Sequence, residues 1–361
     1  MAPNAGGFDQ GWSVNDPCFF KDEARGWILG RVTKVVGVGR TATLSLASTD
    51  GKVTAERDAS AVEAASARAR EGVEDMVALD ELTEATVLST LRVRYDRKQI
   101  YTNVGGILVA VNPYETIANV YGEDRMAGAA AADAAFSGAA PHPFVMAEQA
   151  LRALDRDRAS QSFVISGESG SGKTETCKFI LRYLSYRSKR RFELAGTPRG
   201  GANALEESVL LSNPVLEAFG NAKTLRNNNS SRFGKFIEVH FGHTGGIASA
   251  RIEQYLLEKA RVPSQAAGER SYHVFYQLTQ SPKYSASLQL LDAPSYRFLA
   301  GGGCYEVAGI NDEDDFAQLL ASFSGLGFSD AEVDGVMALV GGILSVCLLY
   351  TSDAADEGLG V

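Results

Sequence analysis

Apolar and polar side chains alternate at short range through the first sixty residues. Ala42, Leu44 and Leu46 interleave with Thr41, Thr43 and Ser45, the two-residue period of a strand with one buried face. Trp27-Ile28-Leu29 and Val32 to Val38 are earlier strand candidates, with Gly30, Gly37 and Gly39 marking bends or turns. Together they predict a small antiparallel β-barrel over residues 10–60, followed by an alanine-rich, mixed-charge connector from Ala59 to Glu74.

From about Asp75 the period changes. Glu81 to Val93 places Leu82, Ala85, Thr86, Leu88 and Leu91 at helical spacing, whereas Ile107 to Val111 is a continuous apolar run suited to a strand covered on both faces. Ala127 to Ala140 is nearly all alanine and reads as a compositionally biased insertion. A helix is expected from about Phe144 to Leu154, then a short strand from Ser162 to Ser166. Cys177, Ile180, Leu181 and Leu184 give one face of the next helix, and a loop from Lys189 to Asn203 leads to another carrying Leu210, Val215, Leu216 and Phe219. Phe236 to Phe241 and Ala248 to Leu257 read as strands joined at Gly245-Gly246. Near the C-terminus Asn311 caps a helix with an acidic first turn, and Ser329 with Glu332 forms a capping box before Val333, Val336, Met337 and Val340.

Composition narrows the class without choosing a function. A hydrophobic fraction of 45% and a charged fraction of 22% are those of a globular protein, and 361 residues suffice for one large α/β domain with a smaller module. The net charge of -9, with no long basic stripe, argues against nucleic acid as a partner; Lys189-Arg190-Arg191 is expected in a solvated loop. Cys18, Cys177, Cys304 and Cys347 lack metal-ligand spacing, which favours reduced thiols. His240 and His243 are close in sequence but have no cysteine nearby, so they read as a surface pair. Val336 to Tyr350 is apolar for about fifteen residues, below the roughly 18 to 20 that span a bilayer, so no transmembrane segment is expected.

The chemistry concentrates in two segments. Gly167 to Thr174 reads GESGSGKT between the strand candidate and a helix, the setting of a phosphate-binding loop. Gly167, Gly170 and Gly172 allow the backbone to curl with N–H groups inward, Glu168, Ser169 and Ser171 complete the cradle, Lys173 reaches the β- and γ-phosphates of a nucleotide, and Thr174 supplies a hydroxyl for Mg2+. About fifty residues later Asn227 to Lys235 reads NNNSSRFGK. Alone it could be a solvated turn; between a helix and an apolar strand it has the position and groups of a switch loop.

These segments, with Gly106 to Tyr114 (GILVAVNPY), Asn213 to Glu238, Tyr255 to Lys259 (YLLEK) and Glu269 to Leu278, resemble the N-terminal part of a myosin motor head. Phe233-Gly234-Lys235 separates the switch segment from that of a kinesin. The resemblance implies a P-loop NTPase motor core, α/β with a mixed β-sheet and flanking helices over residues 75–346, preceded by a small SH3-like β-barrel. It implies ATP and Mg2+ as cofactors, with Thr174 and Ser231 on the metal. Asn227 is implied to contact phosphate, Ser230 to position or relay the proton of the attacking water, and Arg232 to form the salt bridge that closes the site. Asn112, Pro113 and Tyr121 would line the adenine pocket, although Tyr121 lies one residue further from Asn112 than in many relatives. Actin filaments, light chains in a full-length protein and a cytoplasmic, cytoskeleton-associated location are implied by family alone.

Two features depart from that pattern. The second switch, an aspartate followed shortly by Gly-Phe-Glu, is not found in the sequence, so Arg232 has no visible partner. Cys347 to Glu357 (CLLYTSDAADE) resembles the conceptual translation of a transposase library adapter, and residues 347–361 are expected to be an artefactual tail. The sequence therefore leads to an ATP-dependent, actin-based motor whose present stretch is incomplete and has negligible ATPase. The alternative is a non-catalytic nucleotide-binding remnant or binding module. A phosphate-loop kinase or GTPase should show an acceptor lid or an Asn-Lys-x-Asp motif, and neither is found.

Overall fold

The computed structural model describes residues 11–133, 135–136, 138–194 and 202–356. It divides into two compact units, Met1–Met146 and Ala147–Val361.

The first unit is built on strands β1 (Pro17–Asp22), β2 (Gly26–Val36), β3 (Thr43–Ser48), β4 (Thr54–Asp58) and β5 (Val62–Ala64). They form one antiparallel sheet in the order β4-β3-β2-β1-β5. The alternation expected in β3 is present: Leu44 and Leu46 are buried against Phe20, Ile28 and Val32. Burial of such side chains is worth about 1.5–3 kcal/mol each, an upper figure when the unfolded chain is already compact. Gly30 is no bend, because β2 runs straight through it. A Cβ there would lie 2.4 Å from the Ala47 carbonyl oxygen and 2.6 Å from the Phe20 ring, so the residue serves a close approach of strands. The irregularity sits instead between Val32 and Lys34, where the register with β3 shifts.

The expected connector is structured. Alanine pattern reading missed it because small side chains make contacts by allowing close approach rather than by periodicity. Ser66 caps helix α1 (Ala67–Glu71) through the Ala69 N–H, and Ala65 and Ala69 are buried with Phe19 and Ala85. Helix α2 (Glu84–Asp96) begins at a Thr83–Thr86 capping box. Strands β6 (Tyr101–Val104) and β7 (Ile107–Ala110) form a hairpin. Ile107 is exposed, so β7 is not the strand covered on both faces that its apolar run predicted. The alanine-rich insertion begins as helix α3 (Glu123–Ala131), with Met126 and Ala129 buried.

Helix α4 (Pro143–Asp157) follows. Its Glu148 is buried and accepts hydrogen bonds from Arg152 Nε on the same helix and from Tyr183 Oη, while Arg187 Nε lies 2.8 Å away. Tyr183 and Arg187 belong to α5 (Lys173–Leu194), the helix that emerges from the glycine loop, so two charges and a phenol fix α4 against it. Lys189-Arg190-Arg191 lies within α5 rather than in a solvated loop, and Arg191 pairs with Asp155 and donates to the Gly245 carbonyl. Part of the predicted loop, 195–201, lies outside the described residues.

The expected strand at Ser162–Ser166 has no regular structure, and Val164 is 92% exposed. A strand needs a neighbouring strand to pair with its backbone, and among the described residues none does so here. The remaining elements are α6 (Ala202–Gly220), β8 (Asn221–Ala222), β9 (Ser230–Ser231), β10 (Gly234–Phe241), β11 (Ile247–Tyr255), α7 (His273–Thr279), α8 (Pro282–Ser287), α9 (Arg297–Ala300), α10 (Asp312–Gly325) and α11 (Asp330–Asp356). β8 pairs with β9 and β10 with β11, both antiparallel. Among the described residues no mixed sheet forms; the one parallel pairing is an isolated bridge between Asp75 and Asn103.

The core of the second unit joins α7, α10 and α11 through Phe275, Leu278, Phe316, Leu319, Phe323, Met337 and Leu344. Asn311 caps α10 by accepting from the Glu313 and Asp314 N–H groups, and Ser329 and Glu332 close their capping box. By length and composition α11 could cross a membrane over Asp330–Leu348. Its Met337, Val340 and Leu344 stripe, however, packs into this core. The helix continues through Cys347, which is buried and accepts from the Phe298 N–H.

Candidate functional site

The glycine loop owes its shape to backbone angles that other residues avoid. Gly167, Gly170 and Gly172 have φ of 154°, 82° and 91°. At Gly167 a Cβ would also meet Ser171 Oγ at 2.5 Å. Thr176 N–H donates to the Gly172 carbonyl as the first turn of α5 closes. The N–H groups ahead of it have no partner within the helix and lie at its positive end, which suits an anion. Lys173 Nζ donates to the Gly167 and Glu168 carbonyls at 2.7 and 2.9 Å, so its ammonium is held against its own loop.

Two hydroxyl pairs join this loop to the polar segment that follows β8. Ser169 Oγ is 2.9 Å from Ser230 Oγ, and Thr174 Oγ1 is 3.2 Å from Ser231 Oγ. These residues lie some sixty positions apart in sequence, and the pairing of β8 with β9 is what delivers Ser230 and Ser231 to the loop. The Arg232 N–H donates to the Gly220 carbonyl and the Glu258 N–H to the Arg232 carbonyl, fixing the segment on both sides. Asn227 is committed locally: its N–H donates to Thr224 Oγ1, its Oδ1 accepts from the Asn229 N–H, and its Nδ2 donates to the Asn229 carbonyl.

Arg232 has a partner after all. Its Nε donates to Glu258 Oε2 at 2.6 Å and its Nη1 to Ser230 Oγ at 3.2 Å. Glu258 also accepts from Arg261, which is buried and in turn donates to Glu269. Burial raises the Glu258 carboxyl, but hydrogen bonds from Arg261 and Arg232 outweigh it and hold the group below the usual carboxylate range. In the sequence Glu258 stands within YLLEK and carries no local mark of this role. The only signal was its place in that motif, since 26 residues separate it from Arg232.

Asn112, Pro113 and Tyr121 lie in the first unit. Asn112 Oδ1 accepts from the Tyr114 N–H, the Pro113 carbonyl accepts from Tyr95 Oη, and Tyr121 Oη lies 2.7 Å from Tyr101 Oη. Tyr101, Tyr121, His142 and Phe144 pack as an aromatic cluster. Burial pushes the Tyr101 hydroxyl above its ordinary range, so it is a neutral donor or acceptor.

The donor set fits Mg2+ and phosphate. Adjacent hydroxyls at Thr174 and Ser231 are hard oxygen ligands, which Mg2+ takes beside phosphate and water. No group of three or more His, Cys, Asp or Glu side chains able to hold a metal occurs among the described residues.

Comparison with known proteins gives the family. Residues 73–358 match the family described as Myosin head (motor domain). The chain is 39% identical to Myosin-6 of Arabidopsis thaliana over 335 residues, covering 92% of this chain and 21% of that protein. It is 41% identical to Myosin-7 of the same plant over 274 residues, 76% of this chain and 15% of the relative. With Myosin-I heavy chain of Dictyostelium discoideum the identity is 42% over 276 residues, 76% of this chain and 11% of the relative. It thus spans about a fifth or less of the length of these relatives. With a glycine loop, a serine-bearing polar segment bonded to it, and a family match over most of its length, the chain belongs to the myosin head (motor domain) family.

Proposed function

We propose that this chain contributes the nucleotide-binding part of an actin-based motor that hydrolyses Mg·ATP. The observation that carries the reading is the double hydroxyl contact between loop and switch, Ser169–Ser230 and Thr174–Ser231. Lys173 and the backbone N–H groups from Gly167 to Thr174, with Glu168, Ser169, Gly170, Ser171 and Gly172 between them, hold the phosphates. Thr174 and Ser231 hold Mg2+, which neutralises phosphate charge when bound. Asn227 contacts phosphate, Ser230 positions the attacking water or relays its proton, and Arg232 forms the salt bridge that closes the site. Asn112, Pro113 and Tyr121 contact adenine.

The wider reading takes from family membership a P-loop core over residues 75–346, preceded in sequence by an SH3-like module at 10–60. That 347–361 is foreign to both rests instead on the adapter-like run CLLYTSDAADE, while the family match continues to residue 358. Actin filaments, light chains and a cytoplasmic, cytoskeletal location follow for the whole protein. The chain itself should bind nucleotide with negligible turnover, because the sequence has no Gly-Phe-Glu segment to complete the hydrolytic site.

Lys173→Ala tests the reading directly. Its loss removes charge-assisted bonds worth roughly 3 kcal/mol in sum, so affinity for a fluorescent ATP analogue with Mg2+ should fall about 100-fold. Equal affinity in wild type and variant would overturn it.

A further inference from the structure

We infer that His273 and Asn221 form a clamp on Asn229 that sets the position of the Ser230 and Ser231 hydroxyls, making His273 a positioning residue of the nucleotide site. Asn229 immediately precedes Ser230, and its side-chain oxygen takes two bonds from buried donors. Asn221 Nδ2 donates at 2.9 Å and His273 Nε2 lies at 3.1 Å; Asn221 is 1% and His273 5% exposed. The Asn229 amide nitrogen in turn donates to Glu217 Oε2 at 3.2 Å. With Asn221 donating to it, the Asn229 oxygen is an acceptor, so the imidazole must carry its proton on Nε2. The bare Nδ1 then faces the interior, where it is buried without a hydrogen-bond partner.

The clamp is anchored on rigid parts. His273 opens α7, all of whose residues are buried. Asn221 lies on β8, directly paired with Ser231 on β9. Glu217 on α6 is 2.6 Å from Lys178, which follows Lys173 by about one and a half turns on the helix that leaves the glycine loop. The main chain of Asn229 is held as well, by both arms of the Asn227 amide. A histidine that only filled the core would need no bond to an exposed loop residue. Here the bond ends on the residue next to the hydroxyls that meet Ser169 and Thr174.

The consequence for nucleotide rests on the function proposed above; the clamp itself does not. The test is amide hydrogen exchange on the full chain without nucleotide, comparing wild type, Asn229→Ala, His273→Leu and His273→Gln. Asn229 is exposed, so its alanine variant spares the core. The Gln amide nitrogen can replace imidazole Nε2 as donor. Exchange at Ser230 and Ser231 should quicken about 10-fold in Asn229→Ala and His273→Leu, return to within about threefold of wild type in His273→Gln, and leave α10 unchanged. In the same variants the Mg2+ concentration needed for half-maximal binding of a fluorescent ATP analogue should rise about 10-fold wherever exchange quickens. Unchanged exchange at Ser230 and Ser231 in Asn229→Ala overturns the clamp, even if His273→Leu fails to fold. So does a general rise that includes α10, or a His273→Gln variant no better than leucine. Should wild type bind no nucleotide while exchange responds as stated, the clamp stands and the proposed function falls.

Discussion

The N-terminal sheet and the apolar segments of the second unit both carry strand-like sequence and fare differently. In the sheet every strand has a neighbour, and Phe20, Val32, Leu44 and Leu46 are almost wholly buried. In the second unit Val164 is 92% exposed, while Phe236 and Tyr255 are each 52% exposed on the two-stranded ribbon of β10 and β11. The five strands of the sheet all lie between Pro17 and Ala64, so the sheet closes with short loops and a shared buried face. β10 and β11 also meet through a short turn, but a two-stranded ribbon has no further strands to cover Phe236 and Tyr255, and among the described residues Val164 has no strand partner.

The contrast can be broken most sharply in the sheet. Leu44→Ala should lower the stability of the first unit by about 2–5 kcal/mol, because it empties a fully enclosed site. Urea unfolding followed by the fluorescence of Trp12 and Trp27 reads this directly; a loss below about 1 kcal/mol would mean that the sheet is not the closed core described.

Acid should affect both units. Burial, reinforced by the Arg270 charge, pulls His273 down to about 4. Burial does the same to His142, also to about 4, against an opposing backbone hydrogen bond involving Val120. A histidine with a depressed folded pKa protonates first in the unfolded chain. Its contribution is therefore complete above the unfolded value near 6.5 and is lost as pH falls toward about 4. Between pH 7 and pH 5 each should cost about 2 kcal/mol, and His142→Gln should flatten that slope in the first unit alone. A slope unchanged by His142→Gln would locate the acid sensitivity elsewhere.

Glu258→Gln is a smaller probe, confined to the second unit. It leaves Arg232 and Arg261 without their shared carboxylate and should cost about 1–2 kcal/mol, discounted because the side chain is partly exposed. The Glu258 pKa is lowered on folding, so its stabilisation is present above about pH 4.3 and is lost as pH falls through the folded value. A melting curve for Glu258→Gln that matches wild type at pH 7 would show that Arg232 does not depend on it. The smallest effect belongs to Val164→Ser, which should change stability by less than about 0.5 kcal/mol by the same melt, since its side chain is in water. A large loss there would mean that the segment is buried in solution and that the contrast drawn above is false.

Local chemistry was legible in the sequence wherever a few adjacent residues dictate it. The caps at Asn311 and Ser329, the turn at Gly245-Gly246 and the helix behind the glycine loop all follow from neighbours within about five positions. The alanine-rich connector was not legible, because alanine carries no periodic signal and its packing depends on Phe19 some fifty residues earlier. Gly30 was misread as a bend because only the facing strand and the Phe20 ring reveal the close approach.

By itself the sequence determined the residue types of the site: three glycines able to adopt φ values closed to other residues, a lysine and threonine at the head of a helix, and serines and an arginine in a second polar segment. Those are properties of side chains and of local backbone freedom, and they travel with the letters. Tertiary structure alone decided that Ser169 meets Ser230, that Thr174 meets Ser231, that Arg232 rests on Glu258 and that His273 reaches Asn229. Each of these contacts closes a loop of 26 to 61 residues. The free energy that chooses among such closures comes from packing the whole unit, which no short stretch of sequence encodes.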